Sequence, residues 1–177
     1  METIIQLLQN DRQRLQALDC VHRLGLPQGY LAAGFVRNMV WDHLHHKPVA
    51  TPLNDVDVIY FDAEETDPER QLKLEAKLRS YMPQLHWQVR NQARMHLRNH
   101  DRPYLSTLDA MSFWPEKETA VAIRKTSQGY ECVSAFGFES LFQLNITHNP
   151  KRSREVFEQR IQAKAWLAQW PKLTIEG

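Results

Sequence analysis

Asn54-Asp55-Val56-Asp57-Val58-Ile59-Tyr60-Phe61 is the stretch on which the fold turns. Its second half is β-branched and aromatic, the composition of a strand. Its first half is not: aspartate is a poor strand former, so two of them heading an apolar strand break the local rule. Residues i and i+2 of a strand point to one face, about 6.5–7 Å apart, so Asp55 and Asp57 aim at one point while Val56 and Val58 face the other way. Two carboxylates so placed repel unless a cation lies between them or each finds its own donor. Their hard oxygens suit magnesium, which takes a couple of carboxylates together with substrate phosphates. The plain structural alternative is that both acids cap turns near the loop at Pro52.

Upstream, Tyr30-Leu31-Ala32-Ala33-Gly34 is a short apolar run that reads as a buried strand ending at Gly34. From Phe35 to His46 the period changes, with Val36, Val40 and Leu44 four residues apart and Met39 beside them. A strand therefore enters a helix through a glycine turn, and the free N–H groups of a helix start attract phosphate. Arg37 and Asn38 lie in the first turn or so, within reach of an anion docked there. Chain geometry alone also accounts for such a turn. The combination carries more weight: a glycine turn to hold phosphates, then, about twenty residues on, an acidic pair to hold their metal.

The flanking segments are less distinctive. Residues 2–24 read as one or two amphipathic helices, with Asn10-Asp11 breaking them or capping the second, and Gly25 and Pro27 ending the run. Downstream the pattern predicts a surface helix over Pro68–Met82, a short strand at Trp87–Val89, the start of a helix within 92–98, and a helix over Ser106–Phe113 capped by Ser106. Thr119–Arg124 and Tyr130–Val133 alternate around Ser127-Gln128-Gly129 as a hairpin. A short helix follows over Glu139–Ile146. The last helix, Ser153–Trp170, carries Val156, Phe157, Ile161, Leu167 and Trp170 inward and stops at Pro171. The class is α+β, a small mixed sheet of about four to six strands flanked by helices at both chain ends. The chain reads as a single domain over 1–177, with N-terminal helices in 1–28, the core sheet in 29–135 and C-terminal helices in 136–177.

Length and composition agree with one ordinary globular unit: 177 residues, 42% hydrophobic and 24% charged. Lys and Arg number 22 against 21 Asp and Glu, a net charge of +1, which argues against a general nucleic-acid or membrane-surface binder. Cys20 and Cys132 stand far apart with no metal-ligand spacing and read as thiols in a reducing cytosol. The N-terminal stretch is charged by Asp11 and does not resemble a signal peptide. No stretch approaches the roughly 18 apolar residues of a membrane span. A soluble, cytoplasmic protein is expected.

Gly34 followed by Asp55-Val56-Asp57 resembles the signature of the polymerase-β-like nucleotidyltransferase superfamily. More closely, the words AGFVRNMVWDHLH, TPLNDVDVIYFD, WQVRNQARMH, WPEKETAVAIR, AFGFESLF and KAWLAQWPKL, in order from residue 32 to 173, resemble a bacterial family of small nucleotidyltransferase-like proteins. The resemblance implies that Asp55 and Asp57 are the catalytic, metal-binding pair, that Gly34 is the phosphate-loop glycine, and that the cofactor is magnesium. It implies transfer of a nucleoside monophosphate from a nucleoside triphosphate to an acceptor that is a small molecule, a protein or RNA. Two positions depart from the superfamily pattern. Phe35 stands where a small residue is usual, and the strand expected to bring a third carboxylate, Trp87 to Asn91, offers Gln88 and Arg90. Asp109 is the nearest substitute, although it reads more simply as a helix residue following Ser106. The alternative function is accordingly a degenerate nucleotide-binding module or an antitoxin-like protein that pairs with a protein partner.

Other residue patterns are weaker. His43, His45 and His46 cluster, and His96 and His100 are four apart, a spacing that could put both on one helix face, yet there is no HExxH and no cysteine near by to complete a zinc site. Arg90, Arg94, Arg98 and Arg102 recur every four residues. Arg90 and Arg94 are assigned to the nucleotide site, together with Gly34, Phe35, Arg37 and Asn38, while Arg98 and Arg102 read as a solvated face. Lys151, Arg152 and Arg154 read as a solvated helix start, and the five tryptophans as packing.

Overall fold

The computed structural model describes all of residues 1–177. Two helices open the chain, α1 (Glu2–Gln9) and α2 (Arg12–Leu24). Asp11 caps α2 by accepting the amide of Arg14, and Gly25 ends it in the left-handed conformation that glycine tolerates at little cost. Strand β1 (Tyr30–Ala32) runs into helix α3 (Gly34–Leu44), and β2 (Asp55–Tyr60) follows the loop that α3 leads into. Then come α4 (Arg70–Tyr81), β3 (His86–Asn91), a 3-10 turn at Gln92–Arg94, α5 (Met95–Asn99) and α6 (Thr107–Met111). A second 3-10 turn, Lys117–Thr119, enters the hairpin of β4 (Val121–Thr126) and β5 (Gly129–Ser134). Helix α7 (Glu139–Phe142), β6 (Asn145–Thr147), α8 (Arg154–Lys164), α9 (Trp166–Gln169) and β7 (Thr174–Glu176) complete the chain.

The central sheet has the order β3-β2-β1-β4-β5. Short β1 sits in the middle, antiparallel to both β2 and β4, and only β3 runs parallel to β2. Alternation then decides what each face carries. Val56, Val58 and Tyr60 point into a main core of 30 buried residues with α1 to α4. Ile59 points the opposite way into a smaller cluster with Tyr30, Ala32, Met111 and Ala122. Asp55 and Asp57 share the side of Ile59 but lie beyond that cluster, at the strand's N-terminal end. The α+β class and the mixed sheet expected from the sequence are what the chain adopts.

Three expectations for the C-terminal part need correction. The helix predicted over Glu139–Ile146 ends at Phe142, because Leu144 takes a positive φ of 60° and Asn145–Thr147 is drawn into a parallel pair with β7. That partner lies near the end of the chain, so no local pattern announces it. The helix predicted over Ser153–Trp170 breaks at Ala165, which is left-handed at φ 51°. The break rotates the following turn, so Trp166 is buried whereas Leu167, expected inward, is 40% exposed. Val156 is likewise exposed, while Phe157, Ile161 and Trp170 pack inward as their spacing predicts. The hairpin is also longer than predicted, with Thr119 left in the turn before β4.

One buried ion pair ties the N-terminal helices to the start of α3. Arg14 is 3% exposed, and its Nε donates to the carbonyl of Phe35 at 2.6 Å while Nη1 meets Asp11 at 2.7 Å. Removing Asp11 takes away a helix cap and leaves a buried guanidinium without its counter-charge. Asp11→Ala is expected to cost about 2–4 kcal/mol, read as a lower urea midpoint at unchanged slope. Asp11→Asn keeps the cap and should recover about 1 kcal/mol of that loss.

Candidate functional site

A cleft of about 610 Å³ lies at the exposed end of β2. Its floor is the β1–α3 turn and the head of β2; one wall comes from β3 and α5, the other from α8, α9 and the segment around Trp114. Of the residues singled out in the sequence, Gly34, Arg37, Asn38, Asp55, Asp57 and Arg90 all line it. Phe35 and Arg94 do not. Phe35 turns into the core at 1% exposure beneath the Arg14 guanidinium, and Arg94 points away to donate to the carbonyl of Glu65. Arg98, expected on a solvated face, does line the cleft, whereas Arg102 pairs with Asp109 at 2.8 Å. The four-residue spacing fails as a stripe because it runs from a strand through a 3-10 turn into a helix.

The turn is built differently from the sequence expectation. The unusual backbone belongs to Ala33, at φ 56° and ψ −122°, and not to Gly34. Strain of this kind is kept where surrounding structure over-determines it. The glycine serves close approach instead: a Cβ on Gly34 would lie 3.2 Å from both the Arg37 Nη2 and the Asn38 Nδ2. Those two side chains fold back over the helix start, with Arg37 Nε and Nη2 donating to Asn38 Oδ1 at 3.2 and 3.1 Å. At the start of α3 the amides of Val36 and Arg37 donate to the Ala33 carbonyl at 3.0 and 2.9 Å, which leaves those of Gly34 and Phe35 without a partner in the helix.

Arg37 is buried against two indoles, 5.1 Å above the Trp41 ring and 4.8 Å from that of Trp166. Its Nη1 donates to Thr119 Oγ1 at 2.8 Å. Burial brings its pKa down to about 10, with Glu116, Asp57 and Glu118 opposing the fall. Thr119 Oγ1 in turn donates to Glu116 at 2.9 Å, and Glu116, 1% exposed, receives two bonds from Arg160 at 2.6 and 3.0 Å. A continuous chain of contacts thus links α8 to the glycine turn. Arg160, Lys164, Glu116 and Thr119 were missed in the sequence. Arg160 and Lys164 stand four apart on a helix, but nothing in their spacing says which sheet they will face.

The two aspartates sit in different surroundings. Asp57 accepts no hydrogen bond, and burial pushes its carboxyl above the ordinary 3.8 against the pull of Arg37 and Lys164. Asp55 is exposed at the rim, with His86 Nδ1 2.7 Å from its Oδ1. On β3, Gln88 stands across from Asp57 in parallel register, and Arg90 is two residues on, bonded to Glu75 at 2.9 Å. Asp109 stays outside the cleft: it caps its own turn, accepting from the amide of Leu105 and from Arg102. No group of three His, Cys, Asp or Glu side chains is gathered to hold a metal. Two carboxylates that leave the remaining positions to a substrate phosphate nevertheless match the donor set of magnesium, and Asp57, half-buried without a donor, is a carboxylate that a cation would relieve.

A glycine turn and a two-aspartate strand facing one cleft of an α+β sheet define a protein of the polymerase-β-like nucleotidyltransferase superfamily. The sequence profile of a nucleotidyltransferase family matches residues 19–175, and the chain belongs to that family. No curated protein matches it in sequence. Among solved structures, one described as revealing a CCA-adding enzyme head domain is 32% identical, with a TM-score of 0.87 over 99% of this chain and 95% of that one. A CCA-adding enzyme in complex with CTP gives a TM-score of 0.58 at 14% identity, covering 93% of this chain and 39% of its own. The Thermotoga maritima CCA-adding enzyme bound to tRNA gives 0.58 at 15%, covering 93% and 38%. The chain thus spans about two fifths of those two enzymes, and they share its fold. No helix is long and apolar enough to cross a membrane.

The surroundings of Asp57 set a pH-dependent test. Its folded pKa exceeds the unfolded one, so the folded state holds the extra proton between the ordinary value of 3.8 and the raised one, and stability falls as pH rises through that window. Without metal, Asp57→Asn should therefore melt at the same temperature as the parent or higher at pH 7. The difference should shrink as pH is lowered toward 4. Differential scanning fluorimetry across that range reads both; a mutant that melts well below the parent at pH 7 would make Asp57 a structural cap.

Proposed function

We propose that the chain transfers a nucleoside monophosphate from a nucleoside triphosphate to an acceptor. The observation that carries this reading is that Asp55 and Asp57, on one side of β2, line the same cleft as Gly34, Arg37 and Asn38 at the start of α3. In this reading residues 1–177 work as one unit, since the cleft draws on residues from Ala33 to Trp170.

Asp55 and Asp57 would hold magnesium, which when bound neutralises charge on the triphosphate and polarises the α-phosphoryl group. The helix-start amides and Asn38 receive the terminal phosphates, as free amides at a helix start receive anions generally. Arg37, fixed by Thr119 and two indoles, adds a positive charge that needs no reorganisation when the substrate arrives. Lys164, which makes no ion pair and stands close enough to Asp57 to lower its pKa, supplies a mobile cation from the opposite wall. Gln88 and Arg90 on β3 face the acceptor side. The CTP- and tRNA-bound relatives lend support to a nucleotide ligand, while their tRNA remains a property of those longer enzymes.

One observation favours a second reading. Asp55 and Asp57 are the only acids that line the cleft, as expected of a module that binds nucleotide without transferring it. Magnesium with each of the four ribonucleoside triphosphates, at roughly 100 times the dissociation constant, should stabilise the parent by about 2.7 kcal/mol. For a chain of this size that is a rise in melting temperature of about 5–10 °C. Asp57→Asn should remove the rise, because an amide cannot supply the charge that holds the metal. A full shift with no transfer to any acceptor would favour the binding module, and no shift at all would refute both readings.

A further inference from the structure

We infer that Trp114 is the platform on which the nucleobase stacks, and that it is the residue by which the cleft tells a nucleotide from a bare polyphosphate. This rests on the nucleotidyl-transfer reading above and concerns the end of the substrate that the phosphate and metal residues leave unassigned.

Every nucleobase presents a flat π-face, and an aromatic side chain is the surface that takes it. Four aromatic residues line the cleft: Tyr104, Trp114, Trp166 and Trp170. Three of them are buried and already engaged within the protein. Trp166 lies against the Arg37 guanidinium, and Trp170 donates its indole N–H to Asp42. Tyr104 meets the rings of His96 and Phe113, with centroids 6.0 and 5.1 Å away. Trp114 alone is partly exposed, and no ring, cation or acceptor of the protein engages its indole.

Its place and its rigidity fit the role. Trp114 packs against the smaller cluster, which holds Ala33, the residue before Gly34, and Ile59, two residues beyond Asp57 on the same side of β2. The indole therefore belongs to the side of the sheet that carries the aspartates, next to the turn assigned to the phosphates. The backbone that carries it is clamped. Buried Asn149 donates through Nδ2 to the carbonyls of Ser112 and Trp114, both at 2.8 Å, and its amide donates to the carbonyl of Pro115 at 3.0 Å. The Trp114 amide in turn donates to the carbonyl of Met111 at 3.0 Å. A surface fixed before the ligand arrives loses little entropy when it binds. Stacking ignores the hydrogen-bonding edge of a base and responds to the size of its face, so purines should bind more tightly than pyrimidines.

The test is calorimetry on the full chain with magnesium and five probes: ATP, GTP, CTP, UTP and inorganic tripolyphosphate, which has the phosphates and no base. The parent should bind the purine triphosphates most tightly and tripolyphosphate most weakly. Trp114→Leu keeps apolar volume against the cluster but has no aromatic face. It should raise Kd for ATP and GTP about tenfold or more, narrow the gap between purines and pyrimidines, and leave Kd for tripolyphosphate unchanged. Trp114→Phe, which restores a ring, should recover most of the loss. If the parent binds none of the five probes, the nucleotidyl-transfer reading fails. If it binds them but holds tripolyphosphate as tightly as ATP, stacking is overturned without recourse to any variant. It is equally overturned if Trp114→Leu leaves Kd for ATP unchanged or weakens tripolyphosphate as much as ATP, and in these cases the phosphate and metal assignments stand.

Discussion

Burying the Arg37 guanidinium is the constraint around which the cleft is arranged. A cation removed from water needs its donors used and a counter-charge near by, and the contacts here come from its own helix, from the turn before β4 and from α9. Asn38 is its neighbour on α3, Thr119 lies just before β4, and Trp41 and Trp166 sandwich it from α3 and α9. Glu116, the largest favourable charge, is too far to bond it directly and acts through Thr119, while its own carboxylate is held by Arg160 of α8. The break at Ala165 follows from this arrangement, since a continuous helix would swing Trp166 off the guanidinium. A single buried charge thus ties together the glycine turn, the central sheet and the C-terminal helices.

The same economy appears in the loop between α3 and β2. Asp42, 8% exposed, accepts from the amide and hydroxyl of Thr51 and from the Trp170 indole at 2.8 Å. The loop that delivers Asp55 into the cleft is therefore tied to the helix before it and to a tryptophan from the far end of the chain. Asp55 itself is exposed, so its position depends on this backbone anchoring more than on contacts of its own.

Much of the fold was legible in the sequence where local rules and tertiary outcome agree. The acidic head of an otherwise apolar strand, the apolar run into a four-residue period at Gly34, and the caps at Asp11 and Ser106 each signalled an element that formed. What stayed hidden depends on partners distant in the chain. Asn145–Thr147 became a strand only because Thr174–Glu176 lies beside it. In the cleft, the residues contributed by α3, β2 and β3 were readable because strand alternation and helix starts have fixed geometry. Arg160, Lys164 and Glu116 were not, since their place depends on how α8 docks against the sheet. Arg94 and Phe35 misled for the converse reason: position next to a motif does not fix which way a side chain points.

The contribution of α8 and α9 to the cleft also has a temporal side. During synthesis the glycine turn and both aspartates emerge first, and the sheet can assemble once the hairpin through Ser134 is available. Until Arg160 and Trp166 have left the ribosome, however, the Glu116 carboxylate that serves the buried arginine lacks its own partner, and one of the arginine's two indoles is missing. The cleft is therefore completed only once residue 170 has emerged, well after the glycine turn and the two aspartates that form its floor.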